Sequence, residues 1–81
     1  MSNISEAEVI RVIQSALEIR QGTLTLDSSS NNTEGWDSLG HLNVLVALDS
    51  MFDGKVAEIS DMATATSVKE IVALLKENSL L

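Results

Sequence analysis

The sequence predicts a small all-α protein, a four-helix bundle built from three main helices and one short helix. Two capping boxes precede stretches of helical periodicity, a third such stretch lies between them, and no segment is a convincing strand. The 81 residues include no Cys and no Pro, so disulfides cannot stabilise the chain. We therefore expect one domain over residues 1–81, held together by aliphatic helix packing.

The first helix is predicted to begin after Ser5. Ser5 and Glu8 form a capping box, and Ile4 and Val9 occupy the positions of a hydrophobic staple around it. From Val9 onward, apolar residues fall on one broad face of the helix. Polar residues take the opposite face, namely Arg11, Gln14, Ser15 and Glu18. Gly22 is the predicted terminator, just past the end of this pattern.

Residues 23–35 are predicted to form a long loop. Ser, Thr, Asn and Asp dominate this segment, and these residues favour turns because their side chains bond to nearby backbone. Leu24 and Leu26 are its two candidate apolar anchors. A loop of about a dozen residues in a compact domain is usually functional or flexible. The segment is therefore a candidate for part of a functional site.

The second helix is predicted over residues 38–52, with Asp37 or Ser38 as its N-cap. One apolar stripe on it faces the core, namely Val44, Leu45, Leu48, Met51 and Phe52. A second stripe consists of Leu39, Leu42 and Val46. Asp49 lies between the two stripes on one side. The second stripe is either further core or an exposed docking strip.

A short irregular stretch and a last helix complete the chain. Residues 53–54 end the second helix, and residues 56–66 are predicted to be irregular apart from one helical turn around 58–62. Ser67 and Glu70 form the second capping box. Behind it, apolar residues again share one helical face, namely Val68, Ile71, Val72, Leu74 and Leu75.

The charge and the hydropathy of the chain limit the kinds of partner that the protein is expected to bind. Twelve acidic residues against five basic ones give a net charge of −7, which disfavours binding to nucleic acid or to an anionic membrane and favours basic protein partners. The chain has no apolar run of about 18 residues that could span a membrane. Residues 1–8 also lack the basic start and apolar stretch of a secretory signal. The sequence thus predicts a cytoplasmic monomer.

The reactive side chains are few. The chain offers a single His, His41, three residues after Ser38 on the predicted helix, so a Ser–His pair is conceivable. Nothing in the sequence supplies an orienting acid or an oxyanion hole, and the prediction is that the protein is not an enzyme and holds no metal. Ser38 is the more informative residue, because a phosphoryl group on a helix N-terminus sits in a favourable field.

The run from Gly35 to Leu39, Gly-Trp-Asp-Ser-Leu, resembles the acyl carrier protein family, whose marker is Asp-Ser-Leu at the start of the second helix. The resemblance extends through an apolar second helix that ends in Phe-Asp and a Thr-Ser-Val entry into the last helix. It implies that a separate phosphopantetheinyl transferase moves phosphopantetheine from coenzyme A onto Ser38, and that Asp37 helps hold the metal ion of that enzyme. The arm then carries acyl groups as thioesters, and the aliphatic interior could shelter part of a growing chain.

The resemblance also implies a partner surface on the second helix. Acyl-transferring, ketosynthase or ligase-type enzymes would contact residues of the second stripe and their neighbours, namely Leu39, Leu42, Asn43, Val46 and Asp49. Fatty-acid-synthesis carriers usually place several acids along this helix, whereas this chain has Gly40, Asn43 and Ser50. Gly40 also costs up to about 1 kcal/mol of helix propensity relative to Ala.

These departures favour a dedicated carrier over one that serves the general fatty-acid synthase. Its cargo would be a polyketide, a modified lipid, or an acylated sugar or amino acid. Two alternatives stay open from the sequence. A peptidyl or aminoacyl carrier would hold an amino acid by the same thioester, and an arm-less helical adaptor would keep the fold and bind partners without using the hydroxyl of Ser38.

Overall fold

The computed structural model describes residues 4–20 and 22–81, and its fold is all-α, as predicted. Three α-helices form its frame, namely α1 (Glu6–Leu17), α2 (Ser38–Met51) and α3 (Val68–Glu77). Between α2 and α3 lie two short 3₁₀ helices, Val56–Glu58 and Ser60–Thr64, which we call together the 3₁₀ segment (residues 56–64). They replace the single helical turn predicted around 58–62. Among the described residues, β pairing is limited to one bridge between Ser29 and Ser67.

The start of α1 agrees with the prediction, and its end does not. Ser5 is the N-cap and accepts a hydrogen bond from the Glu8 N–H at 3.3 Å. The helix stops at Leu17, because Glu18 adopts a left-handed conformation (φ 57°) and its N–H turns back to the last helical carbonyls. Gly22 lies beyond this end, with φ 84°, so its assignment as terminator was wrong.

Gln14 was expected on the polar face of α1 but is buried, with 5% of its surface exposed. Its Oε1 accepts hydrogen bonds from the backbone N–H of Gly22 at 3.0 Å and of Leu24 at 3.2 Å. The Leu24 N–H is buried and needs such a partner, because no helix or strand serves it. Gln14 therefore anchors the beginning of the long loop to α1.

The middle of the loop is bonded to the residues at the start of α3. Ser30 donates its N–H to the Thr66 carbonyl at 2.8 Å, and Val68 donates its own to the Ser28 carbonyl at 3.0 Å. Of the two predicted apolar anchors, Leu24 is buried, whereas Leu26 is 45% exposed. The loop is thus held mainly by polar contacts at its start and in its middle, which brings its last residues to α2 in a defined position.

The core lies between the three α-helices and the 3₁₀ segment. The first stripe of α2 supplies Val44, Leu48 and Phe52 to it, while Leu45 and Met51 are half-buried at its edge. Helix α2 ends at Met51, one residue before the prediction, and Phe52 is its C-cap. The face of α3 predicted to be apolar is buried except for Leu74, which is half-buried. No helix within the described residues combines the length and the hydropathy that a membrane span requires.

Helix α3 begins at its predicted capping box. The Ser67 Oγ accepts a hydrogen bond from the Glu70 N–H at 3.1 Å and donates one to Glu70 Oε1 at 2.9 Å. The first bond pairs one of the free backbone N–H groups of the helix start, and the second holds the two capping side chains together. Because Val68 and Thr66 also hold the long loop, the same capping region fixes both the last helix and the loop.

Negative charge is concentrated on one half of the chain. Residues 27–66 contain seven of the 12 acids and one of the five bases, so they carry −6 of the net −7. By comparison, the net charges of α1 and α3 are close to zero. An exposed ion pair joins these two helices, with Lys76 Nζ at 3.2 Å from Glu6 Oε1. The repulsion is therefore local to the long loop, α2 and the 3₁₀ segment.

Salt is expected to stabilise the protein by screening this repulsion. The Debye length falls to about 8 Å at physiological ionic strength, so like charges on one surface repel less. The melting temperature should rise by several degrees between low and physiological salt. The rise should be smaller in Asp61→Asn, which removes an exposed charge from the acidic half, than in Glu77→Gln on α3. A melting temperature independent of salt would contradict the prediction.

Candidate functional site

Asp37 and Ser38 lie side by side where the long loop enters α2. Asp37 is the N-cap, with extended backbone (φ −102°, ψ −166°), and its Oδ1 accepts a hydrogen bond from the Gly40 N–H at 2.8 Å. Ser38 is therefore the first residue of the helix. Its side chain is exposed, and its hydroxyl has no hydrogen-bond partner in the part of the chain that the structure describes. The hydroxyl is thus open to a reagent from solvent.

The first turn of α2 favours negative charge at this position. The Asp37 carboxylate satisfies the Gly40 N–H and the Asp37 carbonyl accepts the His41 N–H at 2.8 Å, which leaves the N–H groups of Ser38 and Leu39 outside the helical ladder. The turn itself contains no acidic residue. An anion linked to the Ser38 oxygen would gain about 0.3–1 kcal/mol from the helix dipole at an exposed site.

Gly40 allows this turn to lie directly against the loop. A Cβ at position 40 would overlap the carbonyl oxygen of Gly35 and would stand 3.1 Å from Leu17 Cδ2. Gly35 itself has φ 88°, a conformation that side chains disfavour. Two glycines therefore permit the close approach that places residues 36–38. The glycine at position 40 is a packing requirement, which explains its presence despite a poor helix propensity.

A buried hydrogen-bonded chain connects the loop, α2 and the 3₁₀ segment. Trp36 Nε1 donates to His41 Nδ1 at 3.0 Å, and His41 Nε2 lies 2.8 Å from the Met62 carbonyl oxygen. Since the indole N–H can only donate, Nδ1 must accept and the proton must be on Nε2, which donates to Met62. Trp36 is 2% exposed and His41 is 7% exposed. This chain holds the residue just before the Asp37–Ser38 pair in a fixed position.

The conceivable Ser38–His41 pair is not formed. His41 is buried, and both of its ring nitrogens bond to groups other than Ser38. A hydrogen bond from Ser38 to either nitrogen would require the loss of the bond to Trp36 or to Met62. The geometry therefore gives His41 a positioning role at this site.

A groove of about 540 Å³ opens beside Ser38, and we call it the Ser38 groove. Next to Asp37 and Ser38 it is lined by residues from the loop, α2 and the 3₁₀ segment, namely Ser30, Trp36, His41, Ala63 and Thr66. Ser30 and Thr66 contribute hydroxyl groups to this lining, beside the polar groups of the Asp37–Ser38 pair. The Ser38 groove is thus a mixed polar surface that begins at the exposed hydroxyl.

The second stripe of α2 is exposed. Leu39 is 67% exposed, Leu42 is 55% exposed and Val46 is 62% exposed. Asn43 is also exposed, and its spacing puts it on the same helical face, so we call these four residues the α2 strip. Of the two options left by the sequence, further core is excluded. An exposed apolar strip that starts next to Ser38, in the acidic half of the chain, is a candidate partner surface.

Asp49 differs from the residues of the α2 strip. It is half-buried, and its Oδ1 accepts a hydrogen bond from the Ala57 N–H at 2.8 Å. It thereby joins the last turns of α2 to the first 3₁₀ helix. A contact between Asp49 and a partner stays a prediction, and the structure adds a role within the fold that the sequence did not indicate.

The described residues contain no group of three or more His, Cys, Asp or Glu side chains placed to hold a metal ion. No family model matches the chain, and no solved structure matches it significantly. The features that bear on function are therefore those of the site itself, namely the exposed Ser38, the capped turn, the adjoining groove and the α2 strip.

Proposed function

We propose that this protein is an acyl carrier protein that bears phosphopantetheine on Ser38. The observation that carries the proposal is the exposed, unpaired hydroxyl of Ser38 at the first position of α2, within the run Gly35–Leu39. In this proposal the all-α fold is the four-helix bundle of that family, with the 3₁₀ segment in place of its short helix. The protein presents its cargo to partner enzymes and performs no chemistry of its own.

The residues around Ser38 suit the attachment of phosphopantetheine. The Ser38 oxygen would attack the pyrophosphate of coenzyme A, form a phosphodiester and release adenosine bisphosphate, and the hydroxyl proton would pass to the transferase or to water. The capped turn stabilises the negative phosphodiester, and the Ser38 groove offers room for the first atoms of the arm. When bound, the arm supplies a thiol that holds acyl groups as thioesters. A tethered thiol can visit several enzymes at a raised effective concentration.

Asp37 is the candidate for a contact with the metal ion of the transferase. One of its carboxylate oxygens, Oδ1, is used by the cap to Gly40. The other oxygen belongs to an exposed side chain directly before Ser38 and is the one that could reach a cation held by another protein. Asp37 would then serve both the local fold and the modification.

The α2 strip is the proposed docking surface for partner enzymes. Its three apolar side chains lie within the half of the chain that has a net charge of −6. A partner whose apolar contact is surrounded by basic residues would therefore be complementary to it. Acidic residues away from the strip would accelerate encounter, and the apolar contact would set the lifetime of the complex. The partners are the transferase and acyl-transferring, ketosynthase or ligase-type enzymes of a dedicated pathway.

A peptidyl or aminoacyl carrier is the second candidate, and the polar lining of the Ser38 groove favours it. Ser30 and Thr66 contribute hydroxyl side chains to that lining. An amino group or hydroxyl on the cargo could hydrogen-bond there, whereas a plain alkyl chain would gain nothing from such a surface. Both candidates use Ser38 and the same arm, and they differ in the cargo.

Modification of Ser38 is the first test. Incubation of the purified protein with coenzyme A and a broad-specificity phosphopantetheinyl transferase should add the mass of one phosphopantetheine. Ser38→Ala should gain no mass, and Ser50→Ala, which removes another exposed serine of α2, should gain it as the wild type does. If the wild-type chain stayed unmodified, the carrier proposal would fail. If partner-dependent activity persisted in Ser38→Ala, the arm-less adaptor would be the better account.

A further inference from the structure

A second groove adjoins the Ser38 groove along the seam between α2 and the 3₁₀ segment. It has a volume of about 310 Å³, is open to solvent and is lined mainly by aliphatic side chains, namely Leu45, Val46, Val56, Ile59 and Ala63. We call it the aliphatic groove. Ala63 lines both grooves, so a ligand can pass from one to the other along the protein surface.

Ser38, Leu45 and Asp49 lie on one line along α2. Leu45 is seven residues after Ser38 and Asp49 is eleven residues after it, and in an α-helix both positions return to within about 20° of the starting direction. Ser38 lines the first groove, whereas Leu45 and Asp49 line the second. A group that is attached to the Ser38 oxygen and lies against α2 would therefore run from the Ser38 groove into the aliphatic groove.

The length of the proposed arm fits the distance from Ser38 to Asp49. Eleven residues of α-helix span about 16 Å along the axis. Phosphopantetheine has about 14 bonds between the Ser38 oxygen and its sulfur, nearly as many as the backbone of about five residues, so it spans about 16 Å when extended. The thioester would then reach the level of Asp49, and the first atoms of the cargo would lie beside its carboxylate.

Asp49 is the one charged side chain among the described residues that line the aliphatic groove. Its Oδ1 accepts the Ala57 N–H at 2.8 Å, and its Oδ2 has no hydrogen-bond partner in the described part of the chain. No Lys or Arg of that part forms an ion pair with it. A half-buried carboxylate beside aliphatic walls is complementary to a ligand that combines a positive group with an apolar one.

We infer that the cargo is an aminoacyl group with an apolar side chain, whose ammonium pairs with Asp49 while its side chain lies in the aliphatic groove. This inference rests on the proposed attachment at Ser38 and chooses between the two kinds of cargo left open there. In an aminoacyl thioester the ammonium is on the carbon next to the carbonyl, so it lies at the end of the arm, where Asp49 is. A plain alkyl chain would contact the same walls but would leave the carboxylate without a counter-ion.

The test compares two cargoes of the same shape at about pH 6, where an α-amino group is charged. The transferase would load Ser38 from coenzyme A analogues that carry leucine or isocaproate, which is leucine without its amino group, and an amide in place of the thioester would prevent hydrolysis. Relative to the bare arm, leucine should shift the amide NMR signals of Leu45, Ala57 and Ile59 more than isocaproate does. An exposed ion pair should raise the ratio of bound to free cargo by up to about fivefold. This excess should disappear at about 1 M salt, where the Debye length is about 3 Å.

Two matched variants separate the charge of Asp49 from its structural role. Asp49→Asn keeps an acceptor oxygen for the Ala57 N–H and removes the charge, so the two cargoes should give equal shifts. Asp61→Asn removes an exposed acid of the 3₁₀ segment that does not line the aliphatic groove. It should keep the larger shifts of leucine.

The outcomes distinguish this inference from the proposal on which it rests. Absence of loading on Ser38 would overturn both. Normal loading with no shift from either cargo would overturn the inference alone, since the cargo would then stay in solvent. Equal shifts from both cargoes in the wild type, or larger shifts from leucine that persist in Asp49→Asn, would overturn the pairing of the ammonium with Asp49. The comparison of cargoes on the wild type decides the question even if Asp49→Asn does not fold.

Discussion

Replacement of Gly40 by Ala is expected to lower the free energy of unfolding by about 3 kcal/mol, although the same change within an unobstructed helix raises it by up to about 1 kcal/mol. The reason is the backbone of the loop. A Cβ at position 40 meets the Gly35 carbonyl, which is not the end of a flexible side chain and cannot turn away. Relief requires a shift of Gly35, and with it of the residues that place Ser38.

Urea unfolding of Gly40→Ala and of a matched variant would check this expectation. Asn43→Ala lies one turn further along α2 at an exposed position, and its unfolding free energy should stay within about 0.5 kcal/mol of the wild type. An 81-residue protein should lose about 4–8 °C of melting temperature per kcal/mol, so the two variants should be easy to separate. Equal or greater stability of Gly40→Ala would show that the close approach to Gly35 is not a feature of the native state.

Replacement of Gln14 by Leu is expected to cost about 3 kcal/mol, through the loss of two hydrogen bonds to the loop. The change keeps the size and the apolar stem of the side chain but removes the acceptor of Gly22 and Leu24. The Leu24 N–H is buried, so water cannot replace the lost partner. The start of the long loop should then separate from α1.

Amide hydrogen exchange gives this prediction a specific readout. The amides of Gly22 and Leu24 should exchange much faster in Gln14→Leu, whereas those of Ser30 and Val68, which join the middle of the loop to the start of α3, should be affected less. Ser15→Ala, an exposed neighbour on α1, serves as the control and should change neither set. Unaltered exchange at Gly22 and Leu24 in Gln14→Leu would contradict the anchoring role.

The starts of the helices could be predicted from the sequence, because they depend on local chemistry. A Ser followed three residues later by Glu caps both α1 and α3 through bonds within one turn. The end of α1 could not be predicted, since Glu18 takes a left-handed conformation that is usually left to glycine. Local propensity predicted that the helix would end near Gly22, whereas in the folded protein it ends at Leu17.

The exposed residues of the site could be predicted from the sequence, whereas the buried contacts that position them could not. Ser38 followed from the resemblance and the helix start, and the resemblance favoured exposure of the α2 strip. The bond from His41 to Met62 joins residues 21 positions apart, and the contact between Gly40 and Gly35 depends on how the loop folds back. The single His, five residues after the only Trp, was a sequence signal that could have suggested the pairing of Trp36 with His41. Long-range contacts of this kind leave no periodic pattern in a single sequence.

The most direct measurement for the carrier proposal is the mass of the protein isolated from the cells that make it. Intact mass spectrometry, followed by fragmentation of the peptide around Ser38, would report whether an arm is present, where it is attached and what it carries. We predict one phosphopantetheine on Ser38, with part of the population bearing an acyl or aminoacyl group. An unmodified Ser38, or an arm on a different residue, would contradict the central claim.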